Sequence, residues 1–183
     1  MKAIVLWKKS KKSPYSMSDV PLEGYTLFIQ NKPEDEVEVL VYLEGLEDGN
    51  HGFHIHEKGF SAIHNCMDAT DCCKLLGGHF NVGPSWSLEE PHGTKHGDHN
   101  GDLCFNIFSE NGVVSKKFYS SKISLFPGEK SVMNRSLVIH EDEDDEGKGQ
   151  YEDEEKNIES LITGNAGKRI ACGEIRKVDE KSF

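Results

Sequence analysis

Glu36-Val37-Glu38-Val39-Leu40-Val41-Tyr42-Leu43 alternates strictly, with Val37, Val39, Val41 and Leu43 on one side and Glu36 and Glu38 on the other. A period of two places successive side chains on opposite faces of a strand, so this run predicts one buried and one wetted face. Short apolar runs of the same kind flank it at Ala3–Trp7, Tyr25–Gln30, His51–His56, Leu103–Phe108, Val113–Tyr119, Ser136–His140 and Ile170–Ile175. Turn signals such as Asp48-Gly49-Asn50 and Asn111-Gly112 separate them. No segment shows a sustained helical period. The pattern predicts a single all-β domain over residues 1–183, an eight-stranded antiparallel barrel or sandwich.

Two stretches fall outside the strand pattern: residues 57–101, rich in Gly, His, Cys and Asp, and residues 141–167, rich in acid and Gly. Loops this long inside a compact domain are usually functional or disordered. The tract Glu141–Glu155 reads most simply as a solvated acidic face.

Composition removes several classes of function. The net charge of −11 argues against broad binding to nucleic acid or anionic membranes. No apolar run approaches the ~18 residues a membrane span needs. The Ala3–Trp7 run, bounded by Lys2 and by Lys8, Lys9, Lys11 and Lys12, is too short for a secretory leader, so a cytoplasmic protein is expected. Five cysteines leave one thiol over however they pair, and the cytoplasmic default is that all are reduced.

The chemistry concentrates in histidine. In Gly52-Phe53-His54-Ile55-His56-Glu57 two imidazoles lie two residues apart on a predicted strand, hence on one face and able to converge on one metal ion. Downstream stand Gly78-His79-Phe80-Asn81, His99-Asn100-Gly101-Asp102-Leu103, Leu137-Val138-Ile139-His140-Glu141 and Thr163-Gly164-Asn165-Ala166-Gly167-Lys168-Arg169-Ile170-Ala171-Cys172-Gly173. Copper(II) favours nitrogen donors in a tetragonal set, and His54, His56, His79 and His140 would supply four. Zinc favours a tetrahedral set of nitrogen and oxygen donors, with Asp102 as the oxygen.

These five segments, in this order, closely resemble the copper/zinc superoxide dismutases, and the likeness covers almost the whole chain. It implies a Greek-key barrel and the dismutation of superoxide: Cu(II) oxidises one anion to dioxygen, and Cu(I) reduces a second to hydrogen peroxide with two protons. It implies that His79 bridges copper and zinc and releases copper on its reduction. For zinc it implies His79, His99, Asp102 and a further histidine of a His-Gly pair. Both His92-Gly93 and His96-Gly97 precede His99. His92 is the expected ligand, because its longer span better matches the family's wrap around zinc, with His96 as the alternative. His51 and His64 are read as non-ligands.

The resemblance further implies that Asp144 links a copper ligand to a zinc ligand, and that Cys73 forms a disulfide with Cys172, with the neighbouring Cys72 a competitor. Cys66 and Cys104 are then expected to be free. Arg169 would dock superoxide beside copper. Many relatives carry a Lys immediately before Thr-Gly-Asn, where Ile162 and Thr163-Gly164-Asn165 stand here, so slower anion capture is expected. A homodimer is implied, formed through the first and last strands and the disulfide loop, with Met133-Asn134 at the contact turn. Residues 168–172 lack prolines that in some relatives accompany dependence on a copper chaperone, so maturation without one is expected. The expanded loops resemble those of divergent members from large DNA viruses, for which a host cytoplasm or a virion would be the setting. The rival reading is a catalytically silent decoy of the same fold, or a metal buffer; the complete set of copper histidines with Arg169 argues against it.

Overall fold

The computed structural model describes residues 1–8, 15–90 and 92–178; Lys9, Lys11 and Lys12 of the basic cluster lie outside these. The strands are β1 (Lys2–Trp7), β2 (Ser16–Ser18), β3 (Glu23–Ile29), β4 (Val37–Glu44), β5 (Gly49–His56), β6 (Asp102–Ser109), β7 (Val113–Ser120), β8 (Ser136–His140), β9 (Arg169–Glu174) and β10 (Arg176–Lys177). They form two antiparallel five-stranded sheets in the orders β10-β1-β3-β4-β7 and β2-β9-β8-β5-β6. Chain connections from β4 to β5 and from β6 to β7 cross between the sheets, giving the interleaved order of a Greek key. All eight expected strands are present; β2 and β10 are short additions at the edges.

The alternation in β4 sets its register. Val37, Val39, Val41 and Leu43 are buried against Ala3, Val5, Phe28, Phe53, Ile55, Ile107, Leu137 and Ile139, and this cluster fills the space between the sheets. The first sheet leaves its other face to solvent, as antiparallel sheets commonly do. The second sheet does not. From Gly52 to His56 every residue of β5 is buried, and so is every residue of β8. Phe53 and Ile55 point into the core, whereas the intervening His54 and His56 point outward and are covered by the two long loops.

Those loops are not featureless. Residues 57–101 hold a 3-10 turn at Phe60–Ala62 and α1 (Ala69–Lys74); residues 141–167 hold α2 (Glu154–Thr163). Neither helix was read from the sequence, where no segment shows a sustained helical period. Asp68 caps α1 by accepting from the Asp71 N–H, and Asp153 caps α2 by accepting from the N–H groups of Glu155 and Lys156. Gly164 closes α2 in the left-handed region at φ 73°.

Candidate metal centre

Strand pairing brings the histidines together. His54 pairs with Val138 and His56 with Ser136 across β5 and β8, which puts His140 beside His54 on the same outer face. Backbone bonds from Phe80 N to Ile55 O and from Ile55 N to Gly101 O stitch the first long loop to β5, placing His79 next to His56 and His99 close by. The second loop is tied down by Gly52 N to Asp142 O and Asp142 N to Ala166 O. Gly52 permits that close lid, since a Cβ there would stand 2.6 Å from the Ala166 Cβ.

Two four-membered donor groups result. One is His54, His56, His79 and His140; the other is His79, His96, His99 and Asp102. All seven residues are buried, and within each group the ligating atoms lie within 4.8 Å of one another. Buried polar atoms normally have partners, yet His54 Nδ1, His56 Nε2, His79 Nε2 and His140 Nε2 have none. His96 Nδ1 and His99 Nδ1 likewise make no hydrogen bond, though they face Asp102 Oδ2 at 3.4 and 3.1 Å. Meanwhile the opposite nitrogens of five of these rings are held: His54 Nε2 by Asp144, His56 Nδ1 by Gly77 O, His96 Nε2 by Asp144, His99 Nε2 by Thr94 O and His140 Nδ1 by Gly167 O. A ring fixed on one side and unpartnered on the other is the arrangement a ligand histidine needs. His79 belongs to both groups, its Nδ1 facing Asp102 Oδ1 at 2.8 Å and its Nε2 facing the other three rings.

The electrostatics separate the two groups. Burial, with the nearby Arg169, His79 and His140, holds His56 well below the usual histidine range. Burial, with His54 and His79, does the same to His140. Burial and the adjacent His54 bring His79 down to about 3. On the other side burial also disfavours charge on His96, but the facing carboxylates of Asp102 and Asp144 outweigh it and raise the ring to about 9. Burial works against the Asp102 carboxylate, yet His79, His96 and His99 hold its pKa far below the ordinary value. In the first group His56, His79 and His140 are thus neutral nitrogen donors, and the second group carries an ionised oxygen.

Asp144 bonds His54 Nε2 at 2.5 Å and His96 Nε2 at 2.9 Å, joining the two groups. Burial is outweighed by these two bonds, and its pKa falls to about 2. The Arg169 guanidinium donates to Cys73 O at 2.8 Å and acts electrostatically on both His56 and His140. Cys73 is bonded to Cys172, so one disulfide and one hydrogen bond tie down the side chain of Arg169, which pairs with His140 across β8 and β9.

His92 does not join the second group. It is exposed, and His96 occupies the place expected for it. The inserted residues fold back on themselves, with Trp86 N bonded to Thr94 O and Thr94 N to Pro84 O, so the excursion carries His92 outward before the chain returns. Spacing along a sequence cannot reveal such a detour. Cys66 is also not free: it is bonded to Cys72. A turn of α1 brings Cys72 back over the loop, which the count of five cysteines left open. Cys104 is the free thiol, half-buried. His51 and His64 stand outside both groups; His51 spans the carbonyls of His140 and Glu47.

The family described as copper/zinc superoxide dismutase (SODC) matches residues 22–175. The chain belongs to the copper/zinc superoxide dismutases. Among its relatives, superoxide dismutase [Cu-Zn] A of Xenopus laevis is 41% identical over 160 residues, covering 84% of this chain and 89% of that one. Superoxide dismutase [Cu-Zn] of Paramecium bursaria Chlorella virus 1 is 36% identical over 170 residues, covering 89% and 77%. Extracellular superoxide dismutase [Cu-Zn] of Drosophila melanogaster is 36% identical over 168 residues, covering 88% and 80%. As a copper/zinc superoxide dismutase the chain has donors that fit both metals: four imidazoles on one side, three imidazoles and a carboxylate on the other.

Proposed function

We propose that this enzyme dismutes superoxide, holding copper with His54, His56, His79 and His140 and zinc with His79, His96, His99 and Asp102. The observation that carries this reading is the set of six buried imidazole nitrogens that make no hydrogen bond and converge in two groups sharing one ring. When bound, copper would supply the one-electron chemistry that turns one superoxide into dioxygen and the next into hydrogen peroxide. The protein's part is to fix the rings, exclude other ligands and present a cation. Arg169 offers fixed N–H donors to a small anion. Asp144 orients His54 and His96, and Asp102 orients His79.

The test is turnover of superoxide by protein reconstituted with both metals, with metal content measured on each variant. His140→Ala should lose copper and activity together. Arg169→Ala should keep both metals and lose roughly tenfold in kcat/KM, the scale of local anion steering. His96→Ala should lose zinc and His92→Ala should not. Full loading of the unaltered protein without turnover would refute the reading and favour the silent decoy or buffer.

The same reading includes a homodimer, through the edge around β1 and β10 and the loop of residues 57–78, with Met133-Asn134 at the contact. Sedimentation at twice the monomer mass would support it. It also includes a cytoplasmic location and maturation without a copper chaperone. Oxidised, active enzyme from cells lacking the chaperone is the outcome that reading requires. Among the described residues no helix is long and apolar enough to cross a membrane.

A further inference from the structure

Four sulfurs meet in one small cluster. Cys72, Cys73 and Cys172 are buried together with Met17, Ala69, Leu76 and Val138, and Cys66 packs against the same group. Cys72 and Cys73 are consecutive residues of α1 but have different partners: Cys66, six residues back, and Cys172, on β9. Of the four, Cys73 and Cys172 are fully buried and Cys72 is 1% exposed. Cys66 alone is half-exposed, in the bend before α1 next to Met67, which is 94% exposed. In the folded chain an external oxidant therefore meets Cys66 first, and the bond that pins the loop to β9 is the one it cannot reach.

We propose that Cys66 and Cys72 form an intramolecular exchange site that delivers oxidation to Cys73 and Cys172. The oxidant is a low-molecular-weight disulfide such as oxidised glutathione. The Cys66 thiolate attacks it, forming a mixed disulfide and releasing one small thiol; Cys72 then attacks the Cys66 sulfur, forming Cys66–Cys72 and releasing the second. Next the Cys172 thiolate attacks the Cys72 sulfur, the Cys66–Cys72 bond breaks, and Cys66 leaves with the electron pair and takes up a proton. Cys73 attacks the Cys172 sulfur, Cys73–Cys172 forms, and Cys72 leaves as a thiolate. A second small disulfide re-forms Cys66–Cys72. Four protein thiols and two small disulfides become two protein disulfides and four small thiols. Each transfer between protein sulfurs is an attack within the same cluster, which is what thiol–disulfide exchange requires. Adjacency on one helix lets Cys72 hand over a partner that its neighbour then keeps. The relay needs no metal, so its outcome is independent of the dismutase reading.

The test follows oxidation of fully reduced, metal-free full-length protein by oxidised glutathione, quenching with acid and mapping the linkages by mass spectrometry. Cys73–Cys172 should form about tenfold more slowly in Cys66→Ser than in the unaltered chain, while Cys104→Ser changes nothing. In Cys73→Ser the transfer stops one step short, and a Cys72–Cys172 linkage should accumulate. Formation of Cys73–Cys172 in Cys66→Ser at the unaltered rate overturns the proposal. So does absence of any Cys72–Cys172 linkage in Cys73→Ser, a result that does not depend on how well Cys66→Ser folds.

Discussion

At the scale of single residues the site turns on close approaches that only certain side chains allow. Gly164 is the sharpest case. Its φ of 73° is left-handed, and a Cβ there would stand 2.2 Å from Asp144 Oδ1 and 2.5 Å from His96 Nε2. Gly164→Ala should therefore destabilise the protein by about 1–3 kcal/mol and speed zinc release to a chelator, since the bond orienting His96 is displaced. A melting temperature and zinc off-rate equal to those of the unaltered protein would contradict this. The histidines of the four-nitrogen group were legible in the sequence, because a strand's period of two and the pairing of β5 with β8 leave little freedom. The choice between His92 and its alternative His96 was not. The fold-back between Pro84 and Thr94 leaves His96 grouped with His79, His99 and Asp102, and nothing in a count of residues between His92 and His99 encodes that.

At the scale of elements the strands announce themselves and the loop helices do not. β4 alternates cleanly because one face meets a core and the other water. α2 has only ten residues and lies in an acid-rich run, so its period is short. Its signal was still there: Asp153 as cap, Glu154 and Glu155 in the first turn, Ile158, Leu161 and Ile162 at helical spacing, and Gly164 at the end. The helix matters to the site because Leu161 O accepts from His96 N at 2.8 Å. It also carries Ile162, partly buried, where many relatives have a Lys. Ile162→Lys should raise kcat/KM about two- to tenfold at low ionic strength and steepen its fall with salt, because a local positive potential attracts an anion and is screened within about 10 Å at 0.1 M. Stopped-flow rates that are unchanged, with an unchanged salt slope, would remove Ile162 from the account of capture.

At the scale of the whole molecule two quantities can be set against each other. Cys73–Cys172 closes 99 residues, whereas Cys66–Cys72 closes six. In the chain-entropy view the first contributes about 4–5 kcal/mol and the second about 2. Denaturant unfolding of the metal-free protein should thus show Cys172→Ser losing roughly twice what Cys66→Ser loses; equal losses would mean strain or residual structure dominates. The pH dependence of that metal-free state has a definite sign. His56, His79 and His140 stay neutral when folded, His79 down to about 3. Below pH ~6.5 the unfolded chain binds protons that these rings refuse, so stability falls as pH drops from there. His96 opposes this, because its raised pKa of about 9 adds stability below pH ~6.5 that is lost as pH climbs through 9. A melting temperature that falls from pH 7 to pH 5, less steeply in His79→Gln, is the expected result. A flat profile would mean the rings protonate in place.

A strand normally has a side to spare. On β3 and β4 every second position faces water or is only partly covered, and such positions can drift without cost to the interior. Residues 53–56 and 137–140 have no such position, since one side is wall to the core and the other is wall to the site or to the sulfur cluster. A saturation library should therefore find these eight codons nearly closed to replacement, with tolerance rising abruptly one strand away. Tolerated replacements should instead gather in the coverings that lie over the two walls, the segments whose folding the sequence reveals least.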